Sequence, residues 1–170
     1  MAKDLIASFL SFKPNPKFLE AVGRVTVEFA KLEAELSGFI VVLLDKPDTE
    51  FGPIVTSELS FKQLVQLLMS LYQHANSKED QIVELKAILT KCSSLEIQRN
   101  TIIHSEWTSA EMWNWARRRK VTSKFKKGLH KEDERVGIDE LKNLAEDIHS
   151  VMIIISKLSF KWLVEHRPAT

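Results

Sequence analysis

The sequence predicts an all-α protein: an up-and-down bundle of four to five helices, with an irregular or hairpin insert before the last helix. Two observations support this fold class. Four long segments place apolar residues at the three-to-four-residue spacing of an amphipathic helix, and residues that favour a helix start precede them. Glycine and proline number only five each in 170 residues, and no low-complexity stretch or fixed repeat occurs, which argues against disorder, solenoids and long linkers.

The first helix is predicted to begin at Asn15-Pro16, because Asn is a good N-cap and Pro fits the first helical position. The segment 45–48 (Asp-Lys-Pro-Asp) is expected to end it, and Gly52-Pro53 to extend the break. The apolar stripe of this helix comprises Phe18, Val22, Val25, Phe29, Leu32, Leu36, Phe39 and Leu43. This spacing suits packing in a bundle or an antiparallel dimer.

Two further helices are predicted from capping boxes at Ser60 with Gln63 and at Ser77 with Asp80. The first should end near Asn76. Its buried face would comprise Phe61, Leu64, Val65, Leu68, Leu71 and Tyr72. The stripe of the second comprises Ile82, Leu85, Ile88, Leu89, Cys92 and Leu95.

The helical period disappears in an insert at about residues 108–137, which we interpret as an exposed hairpin or loop. Asp139 is then predicted to cap a final helix. The apolar stripe of that helix comprises Leu141, Leu144, Ala145, Ile148, Val151, Met152, Ile155, Leu158, Trp162 and Leu163. His149 should lie on its polar flank, in contact with solvent.

Length and composition predict one domain spanning residues 1–170, with a hydrophobic content of 44% that is ample for one core. The longest apolar runs, 39–44 and 151–155, are too short to cross a bilayer. We expect a structural thiol at Cys92 and a cytoplasmic location, because a single cysteine cannot form an internal disulfide.

Positive charge is concentrated in residues 117–135, where nine Lys or Arg accompany three Asp or Glu although the whole chain carries only +1. A surface that binds anions should therefore include this segment.

The stripe of the third helix continues to Arg99 and Ile102, so a charge occupies a position that should face the core. Such violations of local rules concentrate at functional sites. With Asn100 and His104, Arg99 forms a set suited to phosphodiester cleavage. Histidine can transfer protons near neutral pH, and a guanidinium can hold phosphoryl oxygens as charge develops.

On a straight helix, Arg99 and His104 would point about 140° apart. Either the helix bends or ends near His104, or two copies of the chain assemble the site across a two-fold axis. Asn100 and His104, four residues apart, share a face, so Asn100 could orient the imidazole or bind phosphate.

The pattern Arg99-Asn100-x-x-x-His104 resembles the hallmark of the HEPN superfamily, in which Arg is followed by four to six residues and then His, very often with Asn or Asp directly after the Arg. The resemblance covers residues 16–165 in outline, including the placement of the motif before an insert and a last helix. It implies a metal-independent endoribonuclease that acts as a homodimer, often in toxin–antitoxin or antiviral defence. It gives Arg99 the phosphate role, His104 proton transfer and Asn100 a supporting role.

Single-stranded RNA is the expected partner, together with a possible antitoxin or regulatory protein. The candidate RNA-binding residues combine aromatic and basic side chains in the insert, which suits base stacking and phosphate binding. They are Trp107, Trp113, Trp115, Arg117, Arg118, Arg119 and Lys120. A solvated basic loop whose tryptophans pack on the bundle is the alternative.

No metal and no cofactor is predicted, because the histidines lack ligand spacing and no phosphate-binding glycine loop occurs. Two other functions stay open: a non-catalytic helical interaction module, with Arg99 in a structural ion pair with Glu28, Glu33 or Glu35, and an RNA or nucleotide binder without turnover.

Overall fold

The computed structural model describes residues 15–44, 51–76, 78–108, 113–124 and 128–166; the side chains of residues 51 and 121–131 are outside this description. The predicted helix break at 45–48 and the predicted cap residue Ser77 also lie outside it. The helices are α1 (Pro16–Leu43), α2 (Phe51–Ser57), α3 (Phe61–Ala75), α4 (Glu79–Ile103) and α5 (Ile138–His166). The strands are β1 (Glu106–Thr108), β2 (Trp115–Lys124) and β3 (Gly128–Gly137).

The protein is mostly helical, and of the two forms predicted for the insert, irregular or hairpin, the structure contains the hairpin before the last helix. The all-α class is wrong in detail, because β1, β2 and β3 form a three-stranded antiparallel sheet in that order. The strand signal was hidden because β2 alternates buried Ala116 and Arg118 with exposed Arg117 and Arg119. An arginine on the buried face breaks the apolar alternation from which a strand is recognised.

Local capping explains where the long helices begin. The backbone N–H of Lys17 donates to Asn15 Oδ1 at 2.9 Å, so Asn15 caps α1 as predicted. At α3, the backbone N–H of Ser60 donates to Gln63 Oε1 at 2.8 Å, which is one half of the predicted capping box.

Two predicted boundaries are wrong. The Gly52-Pro53 segment belongs to helix α2, since a proline in the first turn of a helix removes only an N–H that would have no helical partner. Asp139 lies inside α5. Gly137 precedes that helix, and its backbone N–H donates to Glu140 Oε1 at 3.1 Å.

The chain divides into two compact units: Met1–Thr26 with Gln98–Ala145, and Val27–Ile97 with Glu146–Thr170. The sheet and the end of α4 belong to the first unit. The second unit contains most of the fully buried side chains, which are Phe29, Leu32, Leu36, Phe39, Ile40, Leu68, Leu85, Leu95, Ile148 and Ile155. Most of these are on the predicted stripes, so the helical period identified the core correctly.

Cys92 is buried in the second unit, and burial raises the pKa of its thiol to about 12. The thiol therefore stays protonated and packs as a small apolar group, as expected of a structural cysteine.

Candidate functional site

Helix α4 ends at the candidate histidine. Its last helical residue is Ile103, and the backbone N–H of His104 donates to the carbonyl oxygen of Asn100 at 3.1 Å. The imidazole of His104 is exposed. Of the arrangements that the sequence left open, the structure therefore contains a helix end at His104.

Arg99 and Asn100 are linked to each other one turn earlier. Arg99 Nη1 donates to Asn100 Oδ1 at 2.9 Å, and both residues are half-buried. The amide oxygen of Asn100 thus orients the guanidinium, whereas the sequence suggested that it orients the imidazole. Arg99 continues the stripe of α4 as predicted, between buried Leu95 and buried Ile102.

Two side chains from the following residues complete the end of α4. The Ser105 hydroxyl donates to the carbonyl oxygen of Thr101, and Trp107 Nε1 donates to that of Ile102 at 2.9 Å. The Trp107 ring also packs on Phe18, with centroids 4.9 Å apart. These bonds satisfy terminal carbonyls that have no partner within the helix. Both contacts of Trp107 therefore stabilise the helix end, and we assign this residue a structural role in place of the RNA contact predicted from the sequence.

The sheet begins two residues after His104. In its register Thr108 lies opposite Arg117, and Arg117 in turn lies opposite Arg135. Directly opposite residues share a face of the sheet. One face therefore contains Trp115, Arg117, Arg119, Asp133 and Arg135. That face is exposed at both Arg117 and Arg119.

Arg118 lies on the other face and is only 5% exposed. Its Nε and Nη2 donate to Glu134 Oε2 at 3.1 and 2.6 Å, and Glu132 Oε2 lies 3.6 Å from Nη2. A buried, paired guanidinium of this kind cannot contact a ligand without unpairing. The predicted RNA-binding role of Arg118 is thus replaced by a structural one. Lys120, opposite Glu132 and half-buried, shares this face.

An aromatic and cationic group lies beside the start of β2. The rings of Trp113 and Trp115 meet edge to face with centroids 4.3 Å apart, and the Arg135 guanidinium lies 4.5 Å from the centre of the Trp115 ring. Sequence reasoning missed Arg135. Its place beside Trp115 follows from the pairing of β2 with β3, and the sequence does not give that pairing while the hairpin register is unknown.

Glu28, His149 and Lys31 form a second cluster of titratable groups. Glu28 is buried, and its Oε2 lies 2.9 Å from His149 Nδ1 while its Oε1 accepts from Lys31 Nζ at 2.9 Å. The hydrogen bonds from Lys31 and then His149 lower the pKa of Glu28. The prediction that His149 is merely solvated is therefore wrong. Glu28, one candidate partner of Arg99, is engaged in this cluster.

The remaining features bear on ligand classes. Among the residues that the structure describes, no group of three His, Cys, Asp or Glu side chains is placed to hold a metal ion. In the same part of the chain, no helix has the length and apolar character needed to cross a membrane. A groove of about 580 Å³ runs between α3 and α4, lined in part by Val65, Met69, Lys86 and Leu89.

Comparison with known proteins gives no relative: no protein family, no curated protein and no solved structure matches this chain.

Proposed function

We propose that this protein is a metal-independent endoribonuclease of the HEPN type, with Arg99, Asn100 and His104 as its site. The observation that carries the proposal is the end of α4 at His104. It leaves an exposed imidazole about one and a half turns after an Arg99 guanidinium that Asn100 orients. A proton-transfer group and a phosphate-binding cation thus occur together at one helix end.

The proposed chemistry is intramolecular transesterification. His104 accepts the proton of a ribose 2′-hydroxyl, and the 2′-oxygen forms a bond to the adjacent phosphorus. The bond from phosphorus to the 5′-oxygen breaks, and that oxygen takes up a proton from the protonated imidazole of His104. The Arg99 guanidinium binds the phosphoryl oxygens, whose charge increases in the transition state. The products carry a 2′,3′-cyclic phosphate and a 5′-hydroxyl.

The proposal includes a homodimer, an up-and-down arrangement of the helices and a cytoplasmic location. Single-stranded RNA is the substrate class, and Trp113, Trp115, Arg117, Arg119 and Lys120 are its candidate contacts outside the site. An unregulated ribonuclease would damage the cell that makes it, so the proposal also includes a restraining antitoxin or regulator in a defence system. Overexpression of the wild type without any growth defect would contradict this last part.

The test is cleavage of labelled single-stranded RNA in the presence of EDTA. The wild type should yield 2′,3′-cyclic phosphate ends, and His104→Ala and Arg99→Ala should each lower the rate by at least about a hundredfold, as expected for removing a general base or a charge-stabilising group. Arg99→Lys should recover only part of the loss, because an ammonium does not reproduce the guanidinium fork.

His74→Ala is the matched control, because His74 is an exposed helical histidine on α3. It should cleave at the wild-type rate, and circular dichroism should show all variants folded. A wild type that binds RNA without cleaving it, with binding weakened by salt, would replace the proposal with a binder.

The second candidate is a non-catalytic interaction module. Phe160 and Val164, one turn apart on α5, are 68% and 60% exposed, and exposed apolar residues at helical spacing are typical of helix-in-groove contacts. A wild type that neither cleaves nor binds RNA would favour this function.

A further inference from the structure

Two arginines face each other across the exposed side of the sheet. Arg117 and Arg135 are directly opposite in the register of β2 and β3, and like charges in that position destabilise a sheet. Two carboxylates share this face: Asp133, whose Oδ1 lies 3.7 Å from Arg117 Nε and 3.3 Å from Arg119 Nε, and Glu106, opposite Arg119. They offset only part of the charge of Arg117, Arg119 and Arg135. In the described part of the chain no carboxylate pairs with Arg135. This face therefore retains positive charge that a bound anion would neutralise.

An exposed aromatic ring lies beside these cations. Trp113 is 43% exposed, while Arg135 covers Trp115. The backbone at Trp113 is held from two sides: Asn15 Nδ2 donates to the carbonyl oxygen of Trp113 at 2.8 Å, and the N–H of Ile138 donates to that of Asn114 at 3.0 Å. The Trp113 ring itself packs edge to face on Trp115, with centroids 4.3 Å apart. With both backbone and ring held, Trp113 can receive a planar ligand at little cost in conformational entropy.

From these contacts we propose that Trp113, Trp115, Arg117 and Arg135 form a binding subsite for one unpaired nucleotide. The base stacks on Trp113, and the Arg117 and Arg135 guanidiniums bind its phosphodiester. The nucleotide must be unpaired, because a base inside a duplex is already stacked on both faces. The inference rests on the proposed function in taking RNA as the ligand, and it adds a subsite, with Arg135, separate from Arg99 and His104.

The test is fluorescence anisotropy with a short fluorescein-labelled oligouridylate, in a His104→Ala background that prevents cleavage. Trp113→Ala should raise Kd about tenfold, the effect of removing one base–aromatic stack. Arg135→Gln should raise Kd about tenfold at low salt. It should also reduce the slope of log Kd against log salt by about 0.7, the value for one phosphate contact on a single strand.

Two controls match these changes at exposed positions on α3 and α5. Lys62→Gln removes one positive charge and Phe160→Ala removes one exposed aromatic ring, and both should bind as the parent does. Single-stranded DNA of the same sequence should show the same sensitivity to Trp113→Ala, because base and phosphodiester are common to both. Duplex RNA should bind weakly and should not respond to Trp113→Ala.

The outcomes separate this inference from the proposed function. Unchanged Kd and salt slope in Trp113→Ala and Arg135→Gln, or a duplex that binds as tightly as the single strand, would overturn the subsite even if wild-type cleavage is confirmed. A wild type that fails to cleave, with Kd still raised about tenfold in both variants, would refute the ribonuclease and retain the subsite.

Discussion

Glu28 on α1 is a buried carboxylate that accepts hydrogen bonds from Lys31 and His149, and its pKa is lowered from the ordinary 4.5. A carboxyl whose pKa is depressed on folding stabilises the fold above its unfolded pKa, and that contribution is lost as the pH falls through the folded pKa. We therefore expect Glu28 to contribute to stability at neutral pH and to cease to do so in acid.

The variant Glu28→Gln removes the charge of this side chain and preserves its shape. The variant should lose about 1–2 kcal/mol of unfolding free energy at neutral pH. Its deficit against the wild type should shrink as the pH falls below the ordinary carboxyl pKa of 4.5 towards the lowered pKa of the folded state. Urea denaturation across this range measures both, and Glu58→Gln, at an exposed position, is the control. A deficit that is constant with pH would contradict the role assigned to the charge.

Two variants at the Arg118 ion pair should differ in stability: one removes the buried guanidinium, and the other leaves it without its carboxylate. Glu134→Gln leaves the buried guanidinium without its closest carboxylate, so thermal unfolding should show a loss of about 1–2 kcal/mol, less than for a fully buried pair because Glu134 is itself exposed. Arg118→Met replaces the charge with an apolar group of similar length and should cost less than Glu134→Gln. A larger loss in Arg118→Met would show that the ion pair itself stabilises the sheet.

The start of α1 depends on one side chain with two functions. The oxygen of Asn15 caps the helix, and its nitrogen donates to the carbonyl oxygen of Trp113. Asn15→Ser should retain the cap and lose the bond to Trp113, whereas Asn15→Ala should lose both, at a further cost of about 1 kcal/mol. Thermal denaturation and Trp fluorescence would separate the two effects, and equal stability of the two variants would contradict the capping role.

The packing of α2 on α1 depends on Gly52. A Cβ at this position would overlap the side chain of Val41. Gly52→Ala should therefore reduce the unfolding free energy by about 1–3 kcal/mol, although alanine is the better helix former. Adding Val41→Ala should recover part of the loss, as a double-mutant cycle would show. An additive result would mean that the two residues do not interact.

The helices could be predicted residue by residue, whereas the sequence indicated only a possible hairpin and neither the strands nor their register, for a physical reason. A helix is specified by its own spacing and caps, so Asn15, Ser60 and the stripe through Leu85 and Leu95 indicated α1, α3 and α4 correctly. A strand is stabilised by its neighbours. In β2 the residue opposite buried Arg118 is Glu134, sixteen positions away, and this pairing exists only once the hairpin forms.

The candidate site was predictable to a similar extent. Arg99 became a candidate because a charge interrupted an apolar stripe, and His104 because of its spacing from Arg99 and Asn100; both are local signals. The commitment of Trp107 to Ile102, the pairing of Glu28 with His149 and the position of Arg135 all depend on contacts outside a single helical period. They could therefore be recognised only in the folded chain.

The proposed dimer can be tested by mixing inactive chains. If Arg99 of one protomer works with His104 of its partner, equal amounts of Arg99→Ala and His104→Ala should form mixed dimers with one intact site of two. Cleavage should then return to about a quarter of the wild-type rate, since about half of the dimers would be mixed. A mixture as inactive as its components would place each working site within a single chain.

The solitary thiol on α4 gives the protein an intrinsic kinetic reporter. Because Cys92 is buried and its thiol remains protonated, an alkylating reagent can react only while the surrounding helices are transiently separated. Labelling rates relative to the unfolded chain would give the free energy of that opening under native conditions. An RNA that binds only the folded protein should slow labelling when Cys92 is exposed by global unfolding. If RNA does not change the labelling rate, the opening is confined to the surroundings of Cys92.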